Sequence, residues 1–272
     1  MTNAEIHRTI FKKGSRTYHT SSLFFPAPVR RDVSTLYAFV RVADDFVDAV
    51  PQDRRGFDQM RSRYRAALAG AWVRDPVVDD FVRLMREKAF DPAWVEAFLS
   101  SMEADFTTRQ YDRLEDTLAY IYGSAEVIGL FMARILDLPE QSHPYAQLLG
   151  RAMQYINFIR DIDEDGRLGR RYLPLEGSGL ERLDRDGAER HPERLARFVE
   201  HHLALYRGWQ RQAEKGFGMI PWRYRIPIKT ASDMYLWTAR RIERNPLVVF
   251  DRKVKPGKPR IILQAFTNAL AA

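Results

Sequence analysis

The feature that most restricts this chain is the recurrence of apolar residues at helical spacing along nearly its whole length. Leu36, Phe39, Val40, Ala43 and Val47 follow the i, i+3, i+4, i+7 pattern of one buried helical face. Similar patterns recur at about 54–69, 76–89, 93–108, 115–137, 144–165, 192–216, 228–245 and 259–270. Prolines and glycines fall between them, as at Pro51, Pro76, Pro92, Pro139, Pro192 and Pro246. Only Tyr172–Leu175 and Leu247–Phe250 have strand character, and both are short. The expectation is an all-α protein forming a single domain over residues 1–272. The longest irregular zone, about 166–191, reads as a surface connection, with a lid over a site as the functional alternative.

Composition removes several classes of chemistry. The chain has no cysteine, so disulfides, thiolate zinc sites and thiol catalysis are excluded, and a reducing, cytoplasmic location is expected. The first fifteen residues lack the apolar run of a secretory signal. The most apolar stretch, Val127–Leu136, is interrupted by Arg134 and is shorter than the ~20 residues a membrane span requires, so no transmembrane segment is expected. A net charge of +7 is compatible with a solvated basic surface, an anionic membrane or a polyanionic small substrate. No nucleic-acid motif accompanies it, and nucleic acid is not expected as a partner.

Two acidic segments stand out against the apolar pattern. At about 100° per residue, Tyr37, Arg41, Asp44 and Asp48 fall within an arc of about 60° on one helix. Further on, Gln154, Asn157, Asp161 and Asp165 share one face of a helix whose isoleucines turn elsewhere. Carboxylates four residues apart repel each other unless something neutralises them. Taken singly, such a pair reads as a solvated acidic helix end. Two copies, each on an apolar helix with polar residues one and two turns earlier, read as one site. Carboxylates with amide oxygens, and no histidine or cysteine nearby, suit a hard cation such as Mg²⁺ held together with substrate phosphates. Arg16, Tyr37, Arg41, Arg160 and Arg252 are then candidates to grip phosphate oxygens.

With both motifs in view, the chain resembles the squalene/phytoene synthase family, more closely its phytoene branch, nearly end to end. YAFVRVADDFVD (37–48) and QYINFIRDIDED (154–165) resemble its two aspartate-rich motifs, and the second is the specific one. Lys12–Tyr18 resembles the segment that reaches the diphosphate, bringing in Ser15, Arg16, Thr17 and Tyr18. Tyr122, Gly123 and Gly129 resemble the central cavity-lining helix, Arg171–Pro174 (with Tyr172) the segment after the second motif, and Tyr235 and Arg252 further diphosphate-facing positions. Two departures stand out: Gly14 occupies a place where some relatives carry histidine, and Glu126 brings charge into the central helix.

The resemblance implies an isoprenoid synthase-type helical bundle around a central cavity. It also implies a prenyltransferase that joins two prenyl diphosphates head to head through a cyclopropyl diphosphate. Mg²⁺, or Mn²⁺ in its place, would be held by Asp44, Asp48, Asp161, Asp165 and Asn157, with Tyr37 and Arg41 catalytic. Gln154 and Arg160 join the substrate-binding set. Tyr18, Tyr37, Phe39, Tyr122 and Phe158 are candidate linings of the cavity. Ser22 and Ser34, small where C30-forming relatives tend to carry aromatics, favour two geranylgeranyl diphosphates and phytoene. Two farnesyl diphosphates giving squalene or dehydrosqualene is the alternative, with NADPH needed only for squalene. A chain-elongating synthase and a catalytically inactive lipid-binding or assembly homologue are the competing classes. Peripheral membrane association, for hydrocarbon release, is the further partner expected.

Overall fold

A computed structural model describes residues 1–271, and among them there is no strand; the one β-type pairing is an isolated bridge between Gln110 and Arg171. Three helices open the chain: α1 (Asn3–Gly14), α2 (Arg16–Ser22) and α3 (Ala27–Asp48). Thr2 starts α1 with a reciprocal capping box to Glu5, and Ser15 caps α2 by accepting from the Tyr18 amide. Next come α4 (Arg54–Leu68), α5 (Pro76–Glu87) and α6 (Pro92–Ala104), each begun by an aspartate N-cap at Asp53, Asp75 and Asp91. Proline at the first position of α5 and α6 uses a site where the missing N–H is harmless.

The central helix consists of α7 (Leu114–Ile121) and α8 (Val127–Ile135), joined by one wide turn at Tyr122–Glu126 in which the Val127 N–H donates to the Tyr122 carbonyl five residues back. Together they run from Leu114 to Ile135, 22 residues, long and apolar enough by length and composition to cross a membrane. Here this helix packs inside the bundle against α6 and α9 (His143–Arg160). The chain continues through α10 (Ile162–Arg167), α11 (Arg185–Arg190), α12 (Pro192–Glu214), α13 (Trp222–Arg244), α14 (Val248–Asp251) and α15 (Lys258–Leu270). Leu247–Phe250, strand-like in sequence, therefore enters a short helix, and α11 occupies part of the irregular 166–191 zone. Both depend on tertiary contacts that a four- to six-residue pattern does not encode.

α9 packs along α12 on one side and along α8 on the other. The wide turn brings backbones close: a Cβ on Gly150 of α9 would lie 2.3 Å from the Ala125 carbonyl oxygen. Glu126 is buried within the same turn, where Arg151 donates to it at 2.7 Å. That guanidinium also lies over the Trp209 ring of α12, 5.5 Å from its centroid. The charge brought into the central helix thus ties α8, α9 and α12 together and does not line the cavity. One continuous core links these helices, with Phe39 stacked on Phe81 at 3.8 Å between centroids.

Because a fixed carbonyl faces Gly150, the Gly150→Ala variant should lose about 1–3 kcal/mol of stability through overpacking. Urea denaturation checks this, and an unchanged midpoint would show that α8 and α9 can separate without cost.

Candidate active site

The first motif ends α3. Arg41 donates to Asp44 at 2.8 Å and also pairs with Asp45, which faces solvent. Surrounding protein atoms, and then the charge of Asp48, push the Asp44 carboxyl up to about 7, against the pull of Arg41. Asp48 accepts from Arg170 Nη1 at 2.8 Å, and the buried Arg170 also donates to the Val47 carbonyl. Arg170 arrives from the segment after α10 and so fastens the second motif to the end of the first.

The second motif is not one helix. α9 stops at Arg160, and Asp161 sits at the joint with φ −101° and ψ 16° before α10 begins. The fourfold spacing survives, because the Asp165 N–H donates to the Asp161 carbonyl at 2.8 Å. Arg160 Nε donates to Asp161 at 2.8 Å, and Lys253 approaches the same carboxylate at 3.4 Å. Asp165 has no ion-pair partner among the described residues. Burial, then Asp161 and Asp48, push it up to about 8. The Arg170–Asp48 bond brings the two motifs together, and the charge of Asp48 accordingly raises both Asp44 and Asp165.

Around this acidic centre lie groups that the sequence patterns did not assign. Asp105 is buried and accepts from the Tyr120 hydroxyl at 2.7 Å and from Tyr172 at 2.8 Å. Those partners lie 15 and 67 positions away, so no local spacing signals the cluster. Lys253, which also pairs with Glu164, and Lys255 bring positive charge to the α9–α10 joint. Lys255 reaches solvent, but partial burial of its ammonium, followed by Arg160 and Lys253, lowers it to about 8. Their signal in sequence is the basic run 252–260, in which the resemblance points to Arg252. Arg252 itself is exposed and forms no ion pair among the described residues. At the other rim the Tyr18 and Tyr235 rings lie 5.8 Å apart. Burial raises the hydroxyls of both Tyr18 and Tyr37.

From this mouth a cavity of about 370 Å³ runs into the bundle. Tyr18, Tyr37, Arg41, Asp44, Gln154 and Asn157 line its polar end, and Leu36, Ile128, Met132, Leu149, Phe217 and Ile220 are among its apolar walls. Ser22 belongs to the wall, its hydroxyl donated to the His19 carbonyl. Ser34 does not; it is buried, and its hydroxyl donates to Arg30 at 2.7 Å. Tyr122, on the wide turn, is 40% exposed and lies outside the cavity, whereas Tyr120, two residues earlier, lines it. Tyr120 and Tyr122 lie about 200° apart on the helix, so only one of them can turn toward the cavity. Phe39 and Phe158 are also not linings: they stack in the core, Phe158 on Tyr172 at 4.2 Å. Tyr172 is therefore a support behind the acidic centre and not a wall of the cavity. Arg16 is exposed, while Ser15 and Thr17 serve α2, through its cap and through a carbonyl that accepts from Ser21. Gly14 faces Tyr37, where a Cβ would come 2.5 Å from the hydroxyl oxygen.

The donor set suits a hard cation. Burial, and then neighbouring carboxylates, hold Asp44 and Asp165 high, and the buried Asn157 Oδ1 has no hydrogen-bond partner. No three carboxylates or histidines among the described residues form a closed cage by themselves. That is compatible with Mg²⁺, which is usually held by one or two carboxylates together with substrate phosphates.

A family profile for squalene/phytoene synthases matches residues 11–260. The chain belongs to the squalene/phytoene synthase family. It is an enzyme of the prenyltransferase type. It is 29% identical to the 15-cis-phytoene synthase of Pantoea ananas across 95% of this chain and 89% of that one. Its fold is similar to that of a dehydrosqualene synthase solved with ligand, with a TM-score of 0.88 at 22% identity, covering 99% of this chain and 96% of that one. It is also similar to that of the squalene synthase HpnC from Alicyclobacillus acidocaldarius, with a TM-score of 0.79 at 23% identity over 89% and 93% of the two chains.

The raised carboxyls make stability depend on pH. Below about pH 4 they are protonated in both the folded and the unfolded chain, so their contribution is complete there. As pH rises through about 7–8 the folded chain must ionise them and that contribution is lost. Without divalent cation, stability should fall by about 1–2 kcal/mol between about pH 5.5 and about pH 8.5, a figure kept small because water reaches both groups. Thermal melting across pH checks this; an Asp165→Asn variant should flatten the curve, and a curve equally steep in that variant would remove Asp165 as a source.

Proposed function

We propose that this chain joins two geranylgeranyl diphosphates head to head, through a cyclopropyl diphosphate, to give phytoene. The observation that carries the reading is an apolar cavity whose polar end holds Asp44, Gln154 and Asn157, with Asp48, Asp161 and Asp165 and their neighbouring cations next to that end. The end-to-end similarity to a protein named 15-cis-phytoene synthase supports the same choice. Ser22 supports the longer substrate, since its small side chain occupies the wall with its hydroxyl already satisfied.

In this reading Asp44, Asp48, Asp161, Asp165 and Asn157 would hold Mg²⁺. When bound, the metal would act as a Lewis acid that stabilises the departing diphosphate. Asp165 and Asn157 offer the oxygens least committed to protein partners; Asp44, Asp48 and Asp161 are shared with Arg41, Arg170 and Arg160. Arg160, Lys253 and Lys255 lie where they can neutralise diphosphate oxygens, as preorganised positive charge at a developing anion. Tyr18, Tyr37 and Tyr120 present aromatic faces toward the start of the cavity, where an allylic cation needs stabilisation. The apolar walls beyond exclude the water that would capture it.

The test is incubation with geranylgeranyl or farnesyl diphosphate and Mg²⁺, with and without NADPH, followed by hydrocarbon analysis. Phytoene from geranylgeranyl diphosphate, independent of NADPH, is expected. A C30 product alone would transfer the reading to the squalene or dehydrosqualene type, and no hydrocarbon from either donor would end it. Asp165→Asn should lower turnover by at least about 10²-fold while the thermal midpoint at neutral pH is kept, because the replaced group already tends to be neutral there. Full activity in that variant would remove Asp165 from the metal-holding set.

A further inference from the structure

α15 presents two distinct faces. Ile261, Gln264, Ala265 and Asn268 turn inward, where Gln264 and Asn268 donate to Asp233 of α13 at 2.9 and 2.8 Å. Ile262, Leu263, Phe266 and Leu270 occupy an arc of about 100° on the solvent side. They are 42, 69, 59 and 92% exposed. Leu23, 51% exposed at the end of α2, and Phe24 extend this surface, the Phe24 and Phe266 rings meeting edge to face at 6.3 Å. Six large apolar side chains in one place are more than the scattered singles of an ordinary surface.

The two segments that form the patch carry charge of one sign. Residues 6–31 and 258–270 hold six and two Lys or Arg and no Asp or Glu, so they carry +8 in a chain whose net charge is +7. Arg241 and Arg260 flank the Trp237 ring at 5.6 and 5.2 Å. Lys12, Lys258, Arg30 and Arg8 all lie close enough to His19 on α2 to lower its pKa, after burial does so. A second copy of the chain is a poor occupant, because a two-fold interface would set this positive rim against itself. Four side chains of one short helix with two neighbours also offer little of the area a stable dimer buries.

We propose that the outer face of α15, with Leu23 and Phe24, is a docking surface for an anionic lipid bilayer. The apolar side chains enter the boundary between headgroups and acyl chains, and the surrounding lysines and arginines meet the anionic headgroups. The location has a consequence for hydrocarbon release. Ser21, Ser22 and Phe25 line the cavity while Leu23 and Phe24, between them, face outward, so one turn of chain separates the apolar interior from the docked membrane. The surface does not depend on the length of the product.

The experiment is flotation of the full chain with phosphatidylcholine vesicles that contain or lack phosphatidylglycerol. The wild type should float with the anionic vesicles, release as salt approaches about 1 M, and bind neutral vesicles at least about ten-fold less. A Leu263→Ser/Phe266→Ser double variant should lose at least about ten-fold of its partition while its melting temperature and turnover stay unchanged. A Lys258→Gln/Arg260→Gln pair gives a second reading should the first variant fold poorly. Failure of the wild type to float would overturn the proposal, as would equal flotation of both variants. Light scattering that shows a dimer dissolved by the apolar variant, without vesicle binding, would assign the face to a second copy instead.

Discussion

The ends of α3 and α9 gather carboxylates where helix electrostatics disfavour them. A helix C-terminus carries partial negative charge, yet Asp44, Asp45 and Asp48 close α3, and Asp161 sits on the last turn of α9. The fold tolerates this because cations arrive from elsewhere in the chain: Arg41 from within α3, Arg160 beside Asp161, Arg170 across to Asp48, and Lys253 from beyond α14. Compensation is incomplete. Asp44 and Asp165 remain raised and the Asn157 Oδ1 remains without a partner, so the residual charge and coordination are available for a ligand.

The helices that end at this mouth also build the cavity behind it. On α3 the wall runs from Val33 to Asp44 and on α9 from Tyr145 to Asn157, spans of about 17 and 18 Å at helical rise. One end of each is polar and the rest apolar, so polar and dry regions are fixed relative to each other by helix geometry. The wide turn in the central helix and the small residue at Gly150 let α8 approach α9 closely enough to close the wall. The Glu126–Arg151 pair then holds that wall from outside. Removing one partner of so enclosed a pair would strand a charge, which makes it a constraint on helix position.

Much of this was legible in the sequence. Eight helical segments read from apolar spacing correspond to α4, α5, α6, the α7–α8 helix, α9 with α10, α12, α13 and α15, their boundaries shifted by a few residues. The polar faces carrying Tyr37, Arg41, Asp44, Gln154 and Asn157 were also legible, because fixed rotation per residue places them together whatever the helix packs against. Positions taken from the resemblance alone were less secure. Tyr120, not Tyr122, lines the cavity, and Ser34, adjacent to the wall residue Val33, turns its hydroxyl back to its own helix. Arg252 and Lys253 are neighbours in sequence, and nothing local distinguishes the one that meets Asp161.

The sequence by itself therefore determined the helices, their inward faces and two columns of acids and amides, since these follow from periodicity over a few turns. Only the tertiary structure decided that the columns face each other, that Arg170 fastens them, and that Asp105 sits behind them between two tyrosines. Those contacts join positions 15 to 122 residues apart, and their energies depend on burial and distance, which exist only once the bundle has closed.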